Sequence, residues 1–214
     1  MNTEKSRENS KNEECLIKVS GIEFTRSLNG AKEISSVDGE QLVMISKEKC
    51  DNFNAPDGKL TVDTAPILLT KIDNTKSFTF TTKITPEFKD TYDAGAMFIY
   101  LGTNLWFKFA FEMDERKKTR IVTVRTMDTS DDNNHDVIDD ASVYMKMSSD
   151  ANVIGFYYSL DNENWQLVRL LKNEYPIEIW AGLSAQSPVG NGAKVIFEEC
   201  AITQSNIENF RMGV

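Results

Sequence analysis

The sequence predicts an all-β fold built as a two-sheet antiparallel sandwich, on three observations. Short apolar runs follow period two, clusters of Gly, Asn, Asp and Pro separate them at sandwich spacing, and no helical pattern interrupts them. At 214 residues the chain lies within the range in which sandwiches run as one unit, and a single domain from residue 15 to 214 is expected. With 40% hydrophobic residues, 12 Phe, 6 Tyr and 3 Trp, it can fill a core between two sheets without disulfides.

Eleven runs read as strands: 41–46, 67–71, 77–84, 94–100, 105–113, 119–126, 142–147, 153–159, 166–171, 177–184 and 193–202. Eleven strands require two sheets. Turn signals such as Pro56-Asp57-Gly58, Asp161-Asn162 and Ser187-Pro188-Val189-Gly190-Asn191-Gly192 lie between them, where Gly, Asn and Asp supply positive φ or local side-chain bonds. Residues 1–14 are polar, of mixed charge and aperiodic, and are expected to form a mobile leader.

The run 104–114 alternates most strictly. Leu105, Phe107, Phe109, Phe111 and Met113 share one face, and Trp106, Lys108, Ala110, Glu112 and Asp114 share the other. The first face is core; the second, polar with one large aromatic, reads as a water-filled groove. Phe78 and Phe80 alternate with Thr79 and Thr81, and Val122 and Val124 with Thr123 and Arg125. One sheet is therefore expected to carry a polar concave face.

The net charge of -9 repels phosphate backbones over most of the surface, which argues against a nucleic-acid partner. No apolar run approaches 18 residues and the start lacks the apolar stretch of a secretory signal, so no membrane association and a cytoplasmic location are expected. Cys15, Cys50 and Cys200 are odd in number, widely spaced and read as structural thiols. His135 is the only histidine, which removes multi-histidine metal centres and leaves one residue for any Ser-His-Asp triad. No cofactor and no metal are expected.

Several of these runs resemble a family of stand-alone jelly-roll proteins related to concanavalin A-like lectins and glucanases. The resemblance rests on 92–97 (Tyr-Asp-Ala-Gly-Ala-Met), Trp106-x-Lys108-x-x-x-Glu112, Val122-Thr123, Ser130-Asp131, Tyr158-Ser159-x-Asp161-x-x-x-Trp165, 182–188 and Val195-x-Phe197. It spans roughly residues 40 to 202. The family is largely of unknown function and includes a yeast cytoplasmic protein implicated in regulating enolase. The resemblance implies the jelly-roll sandwich with a concave groove and little about chemistry. The sequence departs from the family where an aromatic after Ser130-Asp131 is replaced by Asp132.

Trp106, Lys108 and Glu112 are the leading candidates for ligand binding, because an aromatic face stacks on a sugar ring while Lys and carboxylate groups bond its hydroxyls. A solvated sheet face with a cross-strand ion pair is the plain alternative. Asp93, Thr123, Asp131 and Gln186 join the expected ligand-binding set. Glu112 and Asp114 invite comparison with the E-x-D-x-x-E strand of laminarinase-type glucanases, but the third carboxylate would fall at Lys117, so no catalytic residue is assigned. Residues 128–140 hold six Asp without the order of a calcium loop and read as a solvated acidic loop. Trp165 reads as core; Trp180 is either core or groove.

The expected function is non-catalytic binding of a saccharide or sugar-derived small molecule, in a regulatory role in carbohydrate metabolism. One alternative is a glycan-active enzyme using Glu112 with Asp131 or Asp93. The other is a protein-interaction module regulating a glycolytic enzyme.

Overall fold

A computed structural model describes residues 12–214. Among them lie seventeen strands and no helix, so the protein is all-β. Numbered along the chain, eight strands form one sheet in the spatial order β1 (Asn12–Val19), β2 (Ile22–Leu28), β7 (Ile67–Asp73), β16 (Glu178–Gln186), β9 (Ala94–Gly102), β10 (Leu105–Met113), β11 (Thr119–Met127) and β12 (Thr129–Val137). Seven form the second sheet in the order β15 (Gln166–Lys172), β14 (Val153–Ser159), β13 (Val143–Ser149), β8 (Phe78–Glu87), β17 (Lys194–Thr203), β4 (Gln41–Ile45) and β3 (Ser35–Asp38). The remaining pair, β5 (Asn52–Asn54) and β6 (Thr61–Asp63), makes a separate antiparallel ladder. Both large sheets are antiparallel, which is the two-sheet sandwich the sequence predicts.

The core between the sheets follows from the period-two runs. Phe107, Phe109 and Phe111 of β10 point inward and are at most 1% exposed, with Phe156 of β14 wedged against the first two at centroid distances of 5.3 and 5.6 Å. Burying each such ring contributes about 1.5–3 kcal/mol. Strand β8 alternates without a break, sending Phe78, Phe80, Thr82 and Ile84 inward. The one hydroxyl among them is satisfied, since Thr82 Oγ1 donates to the Glu198 carbonyl at 3.0 Å. Beside it, burial pushes the Cys200 thiol up to about 11, which keeps it protonated and inert.

The eleven expected runs correspond to β4, β7 to β11 and β13 to β17, within three residues at each end. Strands β1, β2, β3, β5, β6 and β12 were not expected. Of the expected leader, residues 1–11 lie outside the described residues, while Asn12 to Glu14 open β1. The expected acidic loop is instead mostly strand β12, at the edge of the eight-stranded sheet. Edge strands have no obligation to bury one face, and inserted charges protect them against further pairing, so their sequences show no clean alternation.

The outer face of the eight-stranded sheet departs most from expectation. It carries a second apolar cluster of Leu28, Ala65, Ile67, Leu69, Ala94, Ala96, Phe98, Trp106, Ala110, Val122 and Val124. The segment 51–65, containing the β5–β6 hairpin, lies over part of this face. Asn29 Nδ2 donates to the carbonyls of Asp63 and Ala65 at 2.9 and 2.8 Å, and Asn54 Nδ2 to the Asp128 carbonyl at 2.9 Å. The Asn54 amide donates to Ser130 Oγ at 2.9 Å. These bonds fasten the hairpin to both sides of the sheet.

Candidate functional site

Register fixes what the outer face presents. Trp106 is level with Tyr100 and Trp180, Lys108 with Phe98 and Gly182, Ala110 with Ala96 and Ser184, and Glu112 with Ala94 and Gln186. On the other flank Lys108 is level with Val124 and Asp132. The face thus divides into an aromatic end at Trp106 and a polar end at Glu112, joined by Lys108.

The aromatic end is closed, which corrects the expectation of an exposed Trp106. That side chain is 1% exposed, packs on Phe98 at 5.9 Å and donates its Nε1–H to the Thr103 carbonyl at 3.2 Å. It is a core residue of a second core. Trp180 does line this outer face, half-buried, with the Arg26 guanidinium 4.0 Å from its ring. Trp165 is not in the core; it lies beneath Lys146 Nζ, 3.5 Å from its ring.

Lys108 is on the expected face but is 3% exposed and spends its three donors internally. It donates to Asp51 Oδ1 at 2.8 Å, the Asn52 carbonyl at 3.1 Å and Gln186 Oε1 at 3.3 Å. Burial opposes its charge, but the carboxylates of Asp51 and Glu112 outweigh that and hold its pKa above the ordinary lysine value. Lys108 therefore pins the 51–52 segment to the sheet. Gln186, buried, completes the pin and turns its Nε2 to Ser184 Oγ at 3.3 Å.

Glu112 remains available. It is half-buried and forms no side-chain hydrogen bond or ion pair among the described residues. Burial pushes its carboxyl up to about 8, with the negative charges of Asp51, Asp132 and Asp114 adding to the effect and Lys108 opposing it. Asp132 is raised too, first by burial and then by Asp51, with Lys108 again opposing. Beside these groups lie Ala94, Ala96 and Ala110, small side chains that are fully buried in the outer-face cluster. The Tyr92 hydroxyl, at the same end, is raised by burial and by the charges of Glu115 and Glu112.

Three expected site residues fall elsewhere. Asp93 is fully buried and accepts from the amides of Lys89 and Asp90 at 3.0 and 2.8 Å and from Ser187 Oγ at 2.6 Å, so it closes a turn. Thr123 is level with Phe109 and so points to the inter-sheet side, the reverse of its expected direction. Asp131 is level with Arg125 and Phe107 and pairs with Arg169 at 3.0 Å, also on the inter-sheet side. The sequence reading missed Asp51, whose short turn-rich stretch carries no periodicity. It noticed Asp132 only as a departure from the family pattern, although parity with Val124 would have placed it on the outer face. Among the described residues no group of three or more His, Cys, Asp or Glu is arranged to hold a metal ion.

Residues 28–205 match a family described as "Protein of unknown function (DUF1349)". No curated protein matches the sequence. Among solved structures, a functionally unknown protein from Saccharomyces cerevisiae is similar at 21% identity and a TM-score of 0.76, over 83% of this chain and 95% of that one. The GH43 BlXynB protein from Bacillus licheniformis is similar at 13% identity and a TM-score of 0.64, over 85% of this chain and 36% of that one. The CBM2 module of Lactobacillus casei BL23 phage J-1 evolved Dit aligns at 10% identity and a TM-score of 0.52, over 82% of this chain and 80% of that one. At these identities the likeness shows the sandwich fold and carries no activity with it.

Proposed function

We propose, from the premise that this chain belongs to the DUF1349 family, that the polar end of the outer face binds one small polyhydroxylated molecule, a saccharide or sugar-derived metabolite, without turning it over. The observation that carries this reading is Glu112: a half-buried carboxyl without a hydrogen-bond or ion-pair partner, pushed up to about 8 by burial, near Asp132 and beside small alanine side chains. A protonated carboxyl donates and an ionised one accepts, so the pair matches hydroxyl groups, which do both. The closed aromatic end removes ring stacking on Trp106 from the scheme and limits the ligand to the Glu112 end. The similarity in fold to a GH43 protein and to a CBM2 module is consistent with a sugar-sized ligand.

A second reading is favoured by the same carboxyl. A Glu held protonated near ionised carboxylates is what a general acid in glycoside cleavage requires, with Asp132 or Asp51 in the partner role in place of Asp131 and Asp93. Glycan-array screening followed by calorimetry on the wild type and Glu112→Gln separates the readings. Saturable binding without reducing-sugar release, weakened about tenfold or more by Glu112→Gln with no fall in melting temperature, is the expected result; tenfold is about 1.4 kcal/mol, the scale of one lost hydrogen bond to a charged or acidic group. Reducing-sugar release that Glu112→Gln abolishes establishes the enzymatic reading. Binding indifferent to Glu112→Gln overturns both.

A further inference from the structure

Thr123 and Asp131, displaced from the outer face, meet a second polar cluster on the open flank of the sandwich, where β11 and β12 of one sheet face β15 of the other. Arg125 of β11 and Arg169 of β15 place their guanidinium carbons 5.8 and 5.7 Å from the same Phe107 ring. Two cations from different sheets thus flank one ring, and both act on the Tyr175 hydroxyl. Arg169 is partnered, donating from Nη2 to Asp131 at 3.0 Å and from Nη1 to Thr123 Oγ1 at 3.3 Å. Arg125 takes part in no ion pair among the described residues, and its Nε is buried without an acceptor. The hydroxyl of Tyr175, whose ring meets Phe107 edge-on at 6.1 Å, is likewise buried, close to Arg125 but outside good hydrogen-bond geometry.

The other charges nearby have partners of their own. Asp136 accepts from the Tyr158 hydroxyl at 2.8 Å, Glu174 pairs with Lys172 while also feeling Arg125 at longer range, and Asp131 is already held by Arg169 with 70% of its side chain exposed. His135, its Nε2 3.2 Å from Thr123 Oγ1, is held below the ordinary histidine value by burial and by Arg169. An unpaired guanidinium beside a second one, with Asp131 the one carboxylate ion-paired within the cluster, leaves positive charge in excess there. In a chain of net charge -9 such a concentration of positive charge is local and specific.

We propose that this flank is a second ligand site, distinct from the Glu112 end, and that it takes a phosphoryl group. A phosphoryl group supplies the counter-charge that Arg125 lacks, with Arg169 shared between it and Asp131. Its three terminal oxygens suit the planar donors of Arg125 and Arg169 together with the Tyr175 hydroxyl. A free phosphate and a phosphate monoester present the same group, and the experiment separates them.

The single histidine provides the readout, because an anion bound between Arg125 and Arg169 offsets the Arg169 charge that adds to burial in depressing His135. Titrating the His135 ring by proton–carbon NMR with 10 mM inorganic phosphate, against sodium chloride at matched ionic strength, should raise its pKa by about 0.5 or more over the chloride value. Arg125→Gln should abolish that shift. Tyr175→Phe, which removes only a hydroxyl, should reduce it, and thermal melting of both variants establishes that they fold. A larger shift with a hexose phosphate than with inorganic phosphate at equal concentration assigns the group to a sugar ester; an equal shift assigns it to free phosphate. A phosphate effect no larger than that of chloride, or one that a folded Arg125→Gln retains in full, overturns the proposal. Glu112→Gln should leave the shift unchanged, so failure here is independent of failure at the Glu112 end.

Discussion

Trp106 and Glu112 lie on the same strand and the same face, six residues apart, and their surroundings differ in kind. At Trp106 the 51–65 segment covers the sheet, the indole is 1% exposed and its one polar atom is bonded. At Glu112 the neighbours are small buried alanines, the side chain is half-buried and its carboxyl is left without a partner. The comparison shows that alternation along a strand assigns a residue to a face and leaves open whether that face is wet. A three-residue strand and a buried lysine decide the matter here, since Lys108 holds Asp51 and Asn52 down at the line where the closed half meets the open one.

If the aromatic end is a second core, the largest effect belongs there. Trp106→Ala should destabilise by about 3–5 kcal/mol, on the scale of Phe109→Ala, in urea or thermal unfolding. A loss below 1 kcal/mol would break the comparison by returning Trp106 to a solvated groove. Lys108→Met comes next at about 3 kcal/mol, because Asp51 and the carbonyls of Asn52 and Gln186 lose their common donor; denaturant midpoints measure it. Gly182→Ala, level with Lys108, should cost about 1–3 kcal/mol, since an added Cβ would lie 2.3 Å from the Leu68 carbonyl and 2.6 Å from Leu69 Cδ2.

How much of this was legible follows from the same residues. The alternation of 105–113 identified the Phe107, Phe109 and Phe111 core face correctly because both sheets are long and period two is strict there. Thr123 was assigned to the wrong face because Val122 and Val124 are apolar and so is the outer face they join; only the register of Phe109 with Thr123 reveals it. Trp106 was read as exposed because its cover comes from β5 and β6, each three residues long and too short to show a period. Edge strands β1 and β12 are dominated by exposed charged and polar residues, which erases the pattern that marks interior strands. Trp180 was undecided from sequence and is placed on the outer face by its register with Tyr100.

The stability effect at Glu112 depends on pH, absent in acid and growing as pH rises toward the folded value. The folded chain retains this proton up to about 8, whereas the unfolded chain loses it near the ordinary value of about 4.3, so unfolding releases a proton between the two. The contribution is present in full below about 4.3 and is lost as pH rises through the folded value. Glu112→Gln should therefore match the wild type within about 0.5 kcal/mol at acidic pH and gain on it steadily toward pH 8 in parallel melts. Equal pH slopes for the two proteins would mean that Glu112 is solvated and that the open half is open enough to be ordinary surface.

The ionisation of that carboxyl is the property on which the contrast between the two ends depends. Carbon-13 NMR of glutamate-labelled protein, with Glu112→Gln to assign the resonance, follows it directly. A midpoint near 8 is the expected result and places an unpaired, proton-bearing carboxyl at the open end of the face. A midpoint near the ordinary value of about 4.3 would contradict it, because Glu112 would then be either fully hydrated or paired with Lys108, and no site of the proposed kind would exist.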